Sequence, residues 1–295
     1  MKLLLHPSTK NALDIIMRNP AGAVIFDGSR GLGKAVAARQ LATRLNCPQG
    51  GDDNCQVCRQ IEAGTFPGYI MVNRGEKTTI SIERVRSLTS ELTLKPYTSG
   101  TRVVVIDEAH LLTPEAQNAL LKLLEDSPDR TLIILIAEQL ETLLLTVRSR
   151  CRLVHFTRPG EEVVTEFLVN SRGVASNIAT QAAAAAGGVP GLAITLAAQP
   201  TELTLLLELN ATAGRAQSHS TFERLLLAMR LITSGADLER FGEALHASTI
   251  ARTIAGEVDP NTAAASLGAL ELFRKQLRAK IAPRVALERL MLELG

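Results

Sequence analysis

A parallel α/β domain followed by all-helical segments is the fold class this chain predicts, and three observations predict it. Five short apolar runs fall within the first 157 residues: Ala23-Val-Ile-Phe26, Gly68-Tyr-Ile-Met-Val72, Val103-Val-Val-Ile106, Leu132-Ile-Ile-Leu-Ile136 and Leu153-Val-His-Phe156. Most are apolar throughout rather than alternating, as strands covered on both faces require, and helical stretches separate them. After Thr157-Arg158-Pro159-Gly160 the strand signal stops and the chain reads as helix.

The elements follow in order. The first strand runs directly into Gly28-Ser-Arg-Gly31-Leu-Gly33-Lys34-Ala35, which opens a helix over residues 35–45. Residues 114–125 give the clearest helix, with Thr113 as N-cap, Pro114 at the first helical position and Ser127-Pro128 as the stop. Residues 161–200 give short helices, among them 177–186, which ends at Gly187-Gly188. Leucine-rich helices fill 201–295, with a break expected near Pro283. The expected domains are therefore 1–157, 158–200 and 201–295. The alanine run 182–186 needs no more than its helix propensity.

Composition narrows the function. Thirty-two Lys and Arg against 30 Asp and Glu leave a net charge of +2, too balanced for DNA binding by bulk charge. Seven Phe, two Tyr and no Trp supply few platforms for base stacking. Four cysteines, three of them between Cys47 and Cys58, do not make a disulfide-built domain. The N-terminus breaks off after three leucines, and no apolar run approaches the ~18 residues of a membrane span. A soluble, reduced cytoplasmic protein is the expectation, with no membrane partner.

The loop G-x-x-x-x-G-K between strand and helix is the arrangement that cradles phosphate. Glycines let backbone N–H groups curl around phosphate oxygens, the helix start adds positive potential, and Lys34 neutralises charge. The Ser or Thr expected to contact Mg²⁺ is replaced by Ala35. The strand 103–106 ends in Asp107-Glu108, where one carboxylate can hold a nucleotide's Mg²⁺ and the next can polarise an attacking water. His110 reads as a packing or capping residue.

On these residues the chain resembles AAA+ ATPases, and within them the bacterial DNA polymerase III clamp loader subunits. Four passages carry the resemblance across about residues 6–157: the Gly28–Lys34 loop, the stretch from Asp107-Glu108-Ala-His110 through Pro114 to Glu125, Ser149-Arg150-Cys151, and the cysteines after Asn46. The resemblance implies an AAA+ P-loop sheet domain, a small helical lid and an all-α collar. It also implies that Arg150 is a finger completing the ATP site of a neighbouring subunit in trans. Within the family the chain is most similar to the δ′ kind. Ala35 lacks the hydroxyl, the region expected to sense γ-phosphate reads Ala137-Glu138, and Gly191 stands where motor subunits carry a lid arginine. Charge-assisted bonds run ~1.5–3 kcal/mol each, so these losses together disfavour rapid hydrolysis.

The resemblance further implies a zinc module, with Cys47, Asp52, Cys55 and Cys58 at the ligand positions; three free thiols are the alternative. Cys151 reads as a buried structural thiol. Residues 77–86, with Lys77, Arg84 and Arg86, form either an ordinary solvated helix start or a contact to primed DNA. The leucines of 201–295 suit either a ring-forming collar or the core of a plain bundle. The expected partners are other clamp loader subunits in a hetero-oligomeric ring, the sliding clamp, and primed DNA through the complex. Competing readings are an ATP-hydrolysing γ/τ-like motor subunit, a stand-alone AAA+ DNA motor, and a ring member that takes no nucleotide.

Overall fold

Each apolar run forms a strand in the computed structural model, which describes residues 3–51, 55–93 and 100–294. The strands are β1 (Gly22–Asp27), β2 (Tyr69–Val72), β3 (Arg102–Ile106), β4 (Thr131–Ala137) and β5 (Arg152–His155). They pair in parallel in the order β2-β3-β4-β1-β5. The three inner strands β1, β3 and β4 are buried almost end to end, whereas β2 and β5 are partly exposed. Those two are the sheet edges, so the continuously apolar pattern is a property of the inner strands.

Helices cover both faces: α1 (Pro7–Arg18), α2 (Lys34–Asn46), α3 (Gln56–Glu62), α4 (Ile82–Thr93), α5 (Pro114–Glu125) and the short α6 (Leu145–Arg148). One apolar layer joins Val24, Phe26, Ala38, Leu41, Val103 and Ile134 beneath α1 and α2. The other joins Ile25, Val104, Ile106, Leu120, Leu124 and Ile133 beneath α4 and α5. Each large buried side chain in these layers contributes ~1.5–3 kcal/mol relative to exposure. Helix α5 begins as its sequence requires: Thr113 accepts from the Ala116 amide at 3.2 Å and Pro114 occupies the first turn.

Three helices follow the sheet, α7 (Glu161–Arg172), α8 (Ser176–Ala185) and α9 (Pro190–Ala198). Two compact units, Met1–Ile194 and Thr195–Gly295, make up the chain. The second contains α10 (Pro200–Ser218), α11 (Thr221–Thr233), α12 (Leu238–Ile254), α13 (Pro260–Arg278) and α14 (Pro283–Glu293). Phe241, Leu245, Phe273, Leu287 and Met291 form its core. The predicted break near Pro283 separates α13 from α14. Arg224, buried, donates from Nε to the carbonyl of Ala216 at 3.0 Å and from Nη1 to that of Leu294, tying the ends of α10 and α14 to α11. Phe222, Leu226 and Met229 of α11 stay exposed. This second unit therefore has both a bundle core and apolar surface to spare. Among the described residues no single helix is long and apolar enough to cross a membrane.

Candidate functional site

Strand register brings the chemistry to one end of the sheet. Asp27 closes β1 beside Ala137 of β4, and Asp107 follows immediately after Ile106 of β3. Open parallel sheets bind ligands at these carboxyl ends. From Asp27 the backbone turns through Gly28, Gly31 and Gly33, with φ of 143°, 84° and 83°. A Cβ on Gly28 would lie 2.6 Å from the Phe156 carbonyl, so the loop demands glycine there by contact as well as by φ.

Lys34 is 6% exposed. Its ammonium donates to the Gly28 carbonyl and to the Ser29 carbonyl at 2.8 Å, which leaves one N–H for a phosphate oxygen. Burial pulls the Lys34 pKa down, and the negative charges of Glu138, Asp107 and Asp27 pull against that. The loop is thus formed, with its cation already in place. Ala35 puts a methyl group where a metal-binding hydroxyl would stand.

The acid pair after β3 is divided in its contacts. Asp107 accepts the Glu108 amide at 2.9 Å. Glu108 has a φ of 53°, unusual for a residue with a side chain, and its carboxylate is held by Arg74 Nε at 3.0 Å. Gly191 has a packing reason of its own. Its amide donates to the Gly31 carbonyl at 2.9 Å, and a Cβ there would approach that same oxygen at 2.7 Å. Any side chain at this position would meet the phosphate loop, because the backbone of α9 at Gly191 rests directly on Gly31. His110 belongs to the short turn after β3 and faces the Glu138 amide at 3.4 Å.

Arg150 lies in a turn after α6, away from regular structure, with its side chain 34% exposed. Its Nε donates to Glu125 Oε1 at 2.6 Å, Nη2 meets the same oxygen, and Nη1 donates to the Thr146 carbonyl at 3.0 Å. Buried Gln117 fixes the frame between α5 and α6. Its Nε2 donates to the carbonyls of Leu112 and Thr142 at 3.2 Å each, and its Oε1 accepts the Leu144 amide at 2.8 Å. Cys151, half-buried beside the corner, has its thiol pushed up to about 12 by burial, which disfavours the thiolate.

Cys47, Cys55 and Cys58 converge, with Cys55 Sγ 3.5 Å from Cys47 Sγ and 3.4 Å from Cys58 Sγ. Tetrahedral zinc at ~2.3 Å from each sulfur needs S–S separations of ~3.8 Å, and the three thiols, all within 4.8 Å of one another, could open to that spacing by a few tenths of an ångström. Burial raises the Cys47 pKa, but the amides of Gly51 and Gln49 and the thiols of Cys58 and Cys55 outweigh it and bring it to about 7. The fourth expected ligand, Asp52, lies outside the described residues.

Motif reading did not find Arg74, Gln117, Glu125 or Arg158. Arg158 reaches the phosphate loop from the linker after β5, with Nη2 3.3 Å from Ser29 Oγ. Only Gln117 and Glu125 had a local signal, since both lie within the stretch that carried the resemblance.

Sheet, loop and acid pair define a P-loop α/β class of protein with a helical second unit. The family described as "DNA polymerase III, delta subunit" matches residues 8–160, and the chain belongs to it. The DNA polymerase III subunit delta′ of Escherichia coli is 33% identical over 179 residues, covering 59% of this chain and 54% of that protein. The tau subunit from the same organism is 36% identical over 137 residues, covering 45% of this chain and 21% of that one. The chain therefore spans about half of the first relative and about a fifth of the second. A crystal structure of a DNA polymerase III gamma subunit-related protein from Thermotoga maritima superposes with a TM-score of 0.50 at 19% identity. It covers 96% of this chain and 97% of that one, which establishes a shared fold.

Proposed function

We propose that this chain is a δ′-like clamp loader subunit that supplies Arg150 in trans to the ATP site of a neighbouring subunit. Its role would be to help the ring place a sliding clamp on primed DNA. The observation that carries the reading is the Arg150 corner: an exposed guanidinium, held in place by its own chain, with N–H groups left for an external oxygen pair. A fixed planar cation of this kind stabilises charge developing on γ-phosphate oxygens. The division into ATPase module (1–157), lid (158–200) and collar (201–295) belongs to the same reading, with the α11 stripe Phe222, Leu226 and Met229 as surface for ring packing.

For the chain's own site, the loop fits a phosphate and Lys34 would hold it. The metal half is weaker. Ala35 offers no oxygen, Ala137 offers none at the sheet end, and Glu138 beside Lys34 repels phosphate. Bound Mg²⁺-nucleotide would supply phosphate charge for Lys34 to balance, with Asp107 the remaining carboxylate for the ion. A γ/τ-like motor role is the second reading, favoured by the formed loop and by the presence of both Asp107 and Glu108. Zinc at Cys47, Cys55 and Cys58, with Asp52, would staple α2 to α3.

The test is ATP hydrolysis by the reconstituted complex, comparing wild type with Arg150→Ala. A loss of about a hundredfold or more in kcat is expected for a finger in trans. Unchanged turnover would end the proposal. ATPase activity of the isolated chain that Lys34→Ala abolishes would favour the motor reading instead.

A further inference from the structure

We infer that Glu125 is a positioning residue for Arg150, fixing the guanidinium so that its far end is presented to the neighbouring subunit's phosphate; this rests on the reading of Arg150 as a trans finger. Glu125 closes α5, and the Arg150 turn follows α6, which is tied to α5 through Gln117. The two side chains belong to elements held in fixed register, so their pairing is set before any partner arrives.

The donors can be counted. Arginine carries five N–H groups, one on Nε and two on each terminal nitrogen. Here Nε donates to Oε1 of Glu125, Nη2 forms an ion pair with the same oxygen, and Nη1 donates to the Thr146 carbonyl. Each of the three nitrogens thus has one contact within the chain. One N–H on each terminal nitrogen remains, which is the pair that two oxygens of a phosphoryl group accept.

A free arginine at the same place would have to be ordered from many rotamers in each catalytic cycle. The pair is exposed on both sides, 34% for Arg150 and 49% for Glu125, so it contributes little to the stability of the fold. Its consequence is orientation. Glu125 touches no reacting atom in this account and acts only through Arg150.

The experiment is steady-state ATPase of the reconstituted complex containing Glu125→Ala, Glu125→Gln or Arg150→Ala, with complex assembly checked for each. For Glu125→Ala, kcat should fall about tenfold with KM for ATP unchanged, the size expected when a catalytic group loses its alignment. Glu125→Gln keeps an acceptor oxygen at the same reach and should recover to within about twofold of wild type. If Arg150→Ala is inactive while both Glu125 variants match wild type, the positioning role is overturned and the finger stands. If both Glu125 variants raise kcat, the carboxylate restrains Arg150 rather than aiming it, and the inference is again overturned. If Arg150→Ala itself retains wild-type turnover, the finger reading fails and the inference falls with it.

Discussion

Lys34 and Arg150 are two cations in one sheet domain, and the fold treats them in opposite ways. Lys34 is almost wholly enclosed and spends two of its three donors on the carbonyls of Gly28 and Ser29. Arg150 sits on an exposed turn, aligned by one surface carboxylate and one carbonyl. The first geometry is set within the glycine loop itself. The second is built from side chains of separate elements. The difference separates a cation enclosed by its own loop from one held on the surface.

The largest expected effect tests that contrast directly. In the reconstituted complex, Arg150→Ala should reduce ATP turnover by about a hundredfold or more, whereas Lys34→Ala should leave it within about twofold. Equal losses from both would break the comparison, because the chain would then be hydrolysing ATP at its own loop. Next in size is Ala35→Thr, which returns a hydroxyl to the metal position. A charge-assisted contact of ~1.5 kcal/mol corresponds to about a tenfold gain in Mg²⁺-dependent nucleotide affinity. Titration calorimetry with and without Mg²⁺ would measure it, and Lys34→Ala in the same background should erase the gain.

The contrast also shows what sequence could and could not disclose. Three inner strands, the loop, the α5 cap and the break at Pro283 were legible because each depends on neighbours in sequence: apolar runs, glycines at fixed spacing, Thr113 before Pro114. Even the triplet Ser149-Arg150-Cys151 could be read locally. The partners of those residues could not. Arg74 reaches Glu108 across 34 positions, Glu125 reaches Arg150 across 25, and Gln117 reaches Leu144 across 27. Such pairs form only once the sheet sets the register. Gly191 was legible as a missing arginine, but its packing reason, contact with the Gly31 carbonyl, came from tertiary structure. The softened burial of β2 and β5 follows from the strand order, which no local pattern encodes.

A stability measurement sharpens the comparison further. Gln117→Leu would leave the carbonyls of Leu112 and Thr142 and the Leu144 amide without their side-chain partner, and a buried polar group left unsatisfied costs ~1–3 kcal/mol. Urea unfolding should show a loss in that range. Arg150→Ala, which removes an exposed pair and a donor to the exposed Thr146 carbonyl, should lose less than about 1 kcal/mol. Comparable losses would mean that the Arg150 corner is structural.

The smallest expected effect concerns pH and belongs to Lys34 alone. Burial lowers its pKa below the ordinary 10.5, so between the folded value and 10.5 the folded chain gives up a proton that the unfolded chain still holds. Stability rises with pH wherever the unfolded state binds more protons, so this group adds a positive slope in that window and none well below it. Lys34→Met removes the titration. It also strips the Gly28 and Ser29 carbonyls of a donor, which shifts stability by a constant amount at every pH. The offset and the slope are therefore separable. Urea unfolding of wild type and Lys34→Met at several pH values approaching 10.5 should give curves that diverge, with the wild type gaining relative to the variant as pH rises. Parallel curves would show that the ammonium feels no burial in solution, and the enclosed loop would then be as open to solvent as the Arg150 turn.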